Sequence, residues 1–139
     1  MRFVLDTNTL VSAFLWRGTT AKLLQILHTQ QHDILSSEIL LSELIEVLKR
    51  PKFNTQISKI NQTPDQLINQ WLDVIELIET ISLVTPVSRD IDDDEVLACA
   101  MSAKVDYIVS GDKDLLVLKA FRGIPIVTAA QALEILQAA

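Results

Sequence analysis

Four carboxylates, Asp6, Glu43, Asp94 and Asp112, stand at positions where an α/β fold brings side chains together along one edge of its sheet. Asp6 closes the apolar run Phe3-Val4-Leu5, and Asp112 follows Tyr107-Ile108-Val109 by way of Ser110-Gly111. Both fall just past the carboxyl end of a buried parallel strand, the end at which open α/β sheets bind ligands. Holding like charges together is costly: two carboxylates about 4 Å apart repel by roughly 4 kcal/mol at an effective dielectric of 20. Converging acids therefore imply a bound cation. An all-oxygen donor set selects Mg²⁺ or Mn²⁺ over zinc, whose sites recruit Cys or His. Such a site suits phosphodiester chemistry, because a divalent metal lowers the pKa of a water that then serves as nucleophile. No serine triad or histidine base is in view; His28 and His32 flank the turn into the second strand and read as surface residues.

Helical spacing separates these acids from ordinary ones. Over 37–50 the apolar stripe is Leu40, Leu44, Val47 and Leu48, widened by Leu41 and Ile45. Glu43 borders that stripe, while Glu38 and Glu46 fall on the polar face. The run Asp90-Ile91-Asp92-Asp93-Asp94-Glu95 reads as an acid-rich helix start, which the helix dipole favours. There Asp92 serves as N-cap and Glu95 points to solvent. Asp94 shares a face with Leu97, Ala98 and Met101 and so is directed toward the sheet, with Asp93 the next choice.

The elements that must position these groups alternate along the chain. Strands are predicted at 2–6, 33–36, 80–85, 106–110 and 124–127, and helices at 9–16, 20–30, 37–50, 64–78, 93–104, 113–119 and 129–138. This alternation implies a parallel sheet covered on both faces. Thr63-Pro64-Asp65-Gln66 and Thr128-Ala129-Ala130-Gln131 read as capping boxes, and Asp92 to Glu95 as a third. The stretch 51–62 is a polar interruption in which Phe53, Ile57 and Ile60 recur at helical spacing, as in a short amphipathic turn over the site.

Composition bounds the rest. With 139 residues, 49% hydrophobic and 22% charged, the chain suits a single domain spanning 1–139 with a substantial core. The apolar run before Asp6 is too short for a signal peptide and no segment approaches a membrane span, so a soluble, cytoplasmic protein is expected. Cys99 is the sole cysteine; it excludes an internal disulfide and a thiolate zinc cluster and reads as a small core residue. The net charge of -6 opposes bulk attraction to nucleic acid, although basic residues cluster at Lys49-Arg50-Pro51-Lys52.

In order and spacing, Asp6-Thr7-Asn8, Glu43 within Ser42-Glu43-Leu44, Asp94 within Asp92-Asp93-Asp94-Glu95-Val96-Leu97-Ala98-Cys99-Ala100, and Ser110-Gly111-Asp112-Lys113-Asp114-Leu115-Leu116 resemble the PIN domain. The branch they look most like is the stand-alone VapC-like proteins, described as toxins of toxin-antitoxin pairs. The resemblance implies a Rossmann-like three-layer sandwich with a five-stranded parallel sheet in order 3-2-1-4-5. It implies Mg²⁺- or Mn²⁺-dependent endonucleolytic cleavage of RNA that leaves a 3′-hydroxyl and a 5′-phosphate. Under it Asp6 is the central metal ligand, Glu43 and Asp94 complete the ligation or act through water, and Asp112 holds a second metal position. Asp114 is an auxiliary ligand, with Asp93 as alternative third acid, while Ser110, Thr7 and Asn8 orient the acids or the scissile phosphate. An antitoxin is the implied protein partner.

RNA flanking the cut needs cations, and Arg17, Lys113, Lys49, Arg50 and Lys52 are the candidates near the carboxyl edge; Trp16 reads first as a core or interface residue, with base stacking as the alternative use of its ring. The predicted helices 9–16 and 64–78 carry more apolar residues than one stripe needs, a surplus suited to a homodimer seam or an antitoxin groove. Three rival readings arise. A haloacid-dehalogenase-type phosphatase wants a second Asp where this chain has Asn8, and a receiver domain lacks an acid such as Glu43. The third is a PIN-fold protein that binds RNA, or is held silent by an antitoxin, without strong nuclease activity of its own.

Overall fold

The chain is described by a computed structural model over residues 1–81, 87 and 91–138. Strand β1, Arg2–Leu5, lies inside the sheet, where alternation sends Phe3 and Leu5 to one face and Val4 to the other. All three are buried, so the run reads as continuously apolar. Parallel to β1 lie β2, Asp33–Ser36, on one side and β4, Tyr107–Val109, on the other. Outside these are β3, Glu76–Leu77, beside β2, and β6, Ile124–Val127, beside β4. A sixth strand, β5, Ala120–Phe121, pairs antiparallel with β6, so the sheet order is β3-β2-β1-β4-β6-β5.

The parallel part has the expected order 3-2-1-4-5, with two corrections. First, the outer strand expected at 80–85 is instead β3. Helix α5, Pro64–Leu72, stops well before 78: Val74 N–H turns back to Trp71 O at 3.0 Å, Glu76 and Leu77 pair with Leu35 and Ser36 of β2, and Ile78 N–H donates to Ser36 O at 2.9 Å. Thr80 and Ile81 lie in no strand, and 82–85 fall outside the described residues. Second, the helix expected over 113–119 is only α7, Lys113–Leu116. It gives way to a hairpin whose two linking residues, Arg122 and Gly123, both have positive φ, 48° and 82°. Mirror-image turns of that kind match strand twist, and the glycine adopts one without steric cost.

Two cores flank the sheet. One face carries α1, Thr7–Leu15; α2, Thr19–Thr29; α4, Asn54–Lys59; α5; and α8, Ala129–Ala138, packed on Phe3, Leu5, Ile34 and Val109. The other carries α6, Ile91–Ala103, and α7, packed on Val4, Leu35, Ile108 and Ile126. Helix α3, Glu38–Leu48, belongs to both: Leu40 joins the second core, and Leu44, Val47 and Leu48 the first. It therefore straddles the carboxyl edge of the sheet.

Local signals read from the sequence set several ends. Both capping boxes at Thr63/Gln66 and Thr128/Gln131 form reciprocally. The third, at Asp92 to Glu95, lies where α6 has already begun at Ile91. Residues 51–62 fold as a 3-10 turn, Pro51–Phe53, followed by α4, with Ile57 buried. Much of the apolar surplus of α1 and α5 is used internally: Leu10, Val11, Leu15, Leu67, Ile68 and Trp71 are all buried. Cys99 is a core residue whose thiol burial, with Glu95 nearby, pushes up to about 12. Among the described residues no helix is long and apolar enough to cross a membrane.

Candidate active site

Asp6 follows β1 directly and caps α1, its Oδ1 accepting from the backbone N–H of Thr9 at 2.9 Å. Helix α1 thus starts at Thr7 rather than at 9, because the acid itself satisfies an orphan donor of the first turn. The other oxygen, Oδ2, accepts a short hydrogen bond from the Ser110 hydroxyl at the end of neighbouring β4. Ser110 Oγ in turn accepts from Asp112 N–H at 2.9 Å, and Asp112 Oδ1 from Asp114 N–H at 2.8 Å. A continuous hydrogen-bonded chain therefore ties Asp6, Ser110, Asp112 and Asp114 across the ends of two adjacent strands.

Beside this chain a cleft of about 40 Å³ is lined by Asp6, Thr7, Asn8, Glu43, Asp93, Val96 and Asp112. That exceeds the roughly 10–15 Å³ needed to hold one water. The straddling course of α3 brings half-buried Glu43 over the edge. From the other side α6 contributes Asp93, only 6% exposed. Carboxylate oxygens of Asp93, Asp112 and Asp114 lie within 4.8 Å of one another. The donors are all oxygens, which suits a hard divalent cation. The first turns of α1 and α6 point their positive ends at the cluster and offset part of its repulsion.

Asp94 is placed differently from the sequence-based expectation. It is half-buried, does not line the cleft, and accepts from Val87 N–H at 3.1 and 3.3 Å. Asp93 occupies the cleft instead, and its helical neighbours Val96, Leu97 and Ala100 are all buried. Val96, which the sequence did not single out, supplies an apolar wall. Of the basic residues, Arg17 and Lys113 are exposed, Lys49 pairs with Asp65 at 3.8 Å, Arg50 with Glu46 at 3.4 Å, and Lys52 lies over the Phe53 ring at 5.0 Å. His28 is exposed and His32 half-buried, and neither lines the cleft.

Burial raises the Asp6 carboxyl above its ordinary value of 3.8; hydrogen bonds from Ser110 and Thr9 oppose the shift, and Asp112 adds to it. In the unfolded chain the group ionises near pH 3.8, and in the folded chain at higher pH. The metal-free protein therefore loses stability as pH rises from the unfolded toward the folded value, and is free of that penalty below both. In chelator, Asp6→Asn should melt above wild type at neutral pH, with the difference shrinking as pH falls toward the unfolded value of 3.8. A calorimetric scan showing Asp6→Asn less stable at pH 7 would contradict the assigned shift.

A family model described as PIN domain matches residues 2–114. The chain belongs to the PIN domain family. Among solved structures, this PIN domain is similar to a chain in the crystal structure of VapBC2 from Rickettsia felis bound to a DNA fragment from their promoter. The TM-score is 0.61 and the identity 18%, over 92% of this chain and 98% of that one. At that identity the likeness concerns the fold. No curated protein sequence matches this PIN domain.

Proposed function

We propose that this PIN domain is a Mg²⁺- or Mn²⁺-dependent endoribonuclease, acting in the cytoplasm as the toxin component of a toxin-antitoxin pair. The observation that carries the reading is the meeting of Asp6, Glu43, Asp93 and Asp112 in one small cleft at the carboxyl edge of the sheet. Asp6, Glu43, Asp93 and Asp112 would hold the metal, with Asp114 in support beside Asp112. Bound there, Mg²⁺ or Mn²⁺ supplies a water of lowered pKa and offsets the negative charge that builds on phosphorus. Ser110 fixes one oxygen of Asp6 and the Thr9 amide the other, so the carboxylate arrives already oriented. Buried Thr7 and exposed Asn8, both lining the cleft, orient the acids or the scissile phosphate. Addition of water across the P–O bond leaves a 5′-phosphate and a 3′-hydroxyl. The fold neighbour from the VapBC2 complex supports an antitoxin as protein partner, and a homodimer belongs to the same reading.

Arg17 and Lys113 are the exposed cations assigned to flanking phosphates. In a catalytically silent Asp6→Asn background, Arg17→Ala and Lys113→Ala should each weaken binding of every RNA sequence and flatten the log–log salt slope by about 0.7. Filter binding across a salt series reads both quantities. Unchanged affinity and slope would route the RNA elsewhere. Cleavage by wild type but not by Asp6→Asn distinguishes an enzyme from an RNA-binding protein of the same fold.

A further inference from the structure

We propose that Trp16, Phe53 and Lys52, at the far end of α1 from the acids, form a stacking platform for a base of single-stranded RNA. The inference rests on the ribonuclease reading and extends it to a second contact with the same substrate. Trp16 caps the carboxyl end of α1 and is 46% exposed, whereas the chain's other tryptophan, Trp71, is 2% exposed. The Trp16 ring meets that of Phe53 edge-on, centroids 6.1 Å apart at 68°, and Lys52 Nζ lies 5.0 Å from the Phe53 centroid. Arg17 follows Trp16 directly. Among the described residues no carboxylate lies within 4 Å of Arg17 or Lys52, while Lys49 and Arg50 are each paired. Two cations with no carboxylate partner among the described residues thus flank exposed Trp16 and half-buried Phe53 in a chain of net charge -6. That combination suits single-stranded nucleic acid, whose bases stack on aromatic rings while cations hold the phosphates.

The platform is fixed in place. Gln56 Nε2 on α4 donates to Leu15 O in the last turn of α1 at 2.6 Å, fastening the segment that carries Phe53 to the helix that carries Trp16. Beside Trp16 opens a cleft of about 530 Å³, in which Gln70 Nε2 donates to Gln62 Oε1 at 3.1 Å, a pairing that leaves each amide with further hydrogen-bonding capacity for a base edge. One helix links both places: Asp6 caps its start and Trp16 its end, about 15 Å apart at 1.5 Å per residue. A strand leaving the acidic cleft along α1 reaches the platform within a few nucleotides.

The test uses the full chain carrying Asp6→Asn, with fluorescein-labelled oligoadenylate and an abasic strand of equal length as probes. Adding Trp16→Ala should weaken oligoadenylate binding about ten-fold, leave the salt slope and the abasic affinity unchanged, and Trp16→Phe should retain most of the binding. Lys52→Ala should instead lower the salt slope by about 0.7. Oligoadenylate should quench tryptophan fluorescence in the Trp16 protein and not in Trp16→Phe, where only buried Trp71 remains. Equal affinity and equal quenching with and without Trp16 would overturn the platform and leave the ribonuclease reading intact. So would a Trp16→Ala variant that keeps RNA affinity but loses self-association by sedimentation, which would make the surface a protein contact. Failure of every variant to bind any RNA would overturn both readings together.

Discussion

Glu43→Gln is expected to lower RNA cleavage by more than about 100-fold, while Glu46→Gln, nearly one turn further along α3, leaves it nearly unchanged. The contrast comes from the course of the helix. Because Leu40 packs on one face of the sheet and Leu44, Val47 and Leu48 on the other, α3 crosses the carboxyl edge and lays Glu43 over the cleft. Glu46 lies outside the cleft, its side chain 74% exposed and paired with Arg50 at 3.4 Å. Outer-shell partners of a metal typically cost 10–100-fold when removed, so losing a direct ligand should cost more. Steady-state cleavage of one RNA by both variants reads the difference, and equal losses would contradict the placement of α3.

The second large effect separates two adjacent aspartates. Millimolar Mn²⁺ should raise the melting temperature of the wild type, because a ligand bound only by the folded state adds RT ln(1 + [L]/Kd), about 2.7 kcal/mol at a hundredfold excess over Kd. For a domain of this size that is on the order of 10 °C. Asp93→Asn should lose most of the gain and most of the cleavage. Asp94→Asn should keep both, since Asp94 holds the Val87 amide rather than the cleft. A melting scan in which Asp94→Asn abolishes the Mn²⁺ response and Asp93→Asn preserves it would reverse the assignment.

The same pair marks where the sequence stops being legible. Asp6 and Asp112 were readable because each closes a short apolar run, and a buried parallel strand leaves few other readings. Glu43 was readable because the stripe of α3 is narrow enough to have a border. Helix α6 has no such border: Val96, Leu97, Ala98, Cys99 and Ala100 are consecutive and all buried, so helical spacing cannot rank Asp93 against Asp94. The sheet edges were obscure for a different reason. Val74 and Ile75 continue the apolar pattern of α5 and look helical until pairing with β2 claims the segment, an effect of tertiary structure that a local window does not contain. The hairpin of β5 and β6 turns on Arg122-Gly123, a weaker signal than Asn-Gly or Asp-Gly. Hydrogen bonding from Ser110 to Asp6 depends on the register of β1 with β4, which the two separate motifs do not carry.

The most direct measurement is cleavage of a defined single-stranded RNA by wild type and Asp6→Asn, in Mg²⁺ or Mn²⁺ and in chelator, with both ends of every product mapped. A ribonuclease built on the acidic cleft cuts only with wild-type protein and metal together, and leaves 5′-phosphate and 3′-hydroxyl ends. Cleavage that persists in chelator, that Asp6→Asn performs equally well, or that leaves 2′,3′-cyclic phosphates would contradict it.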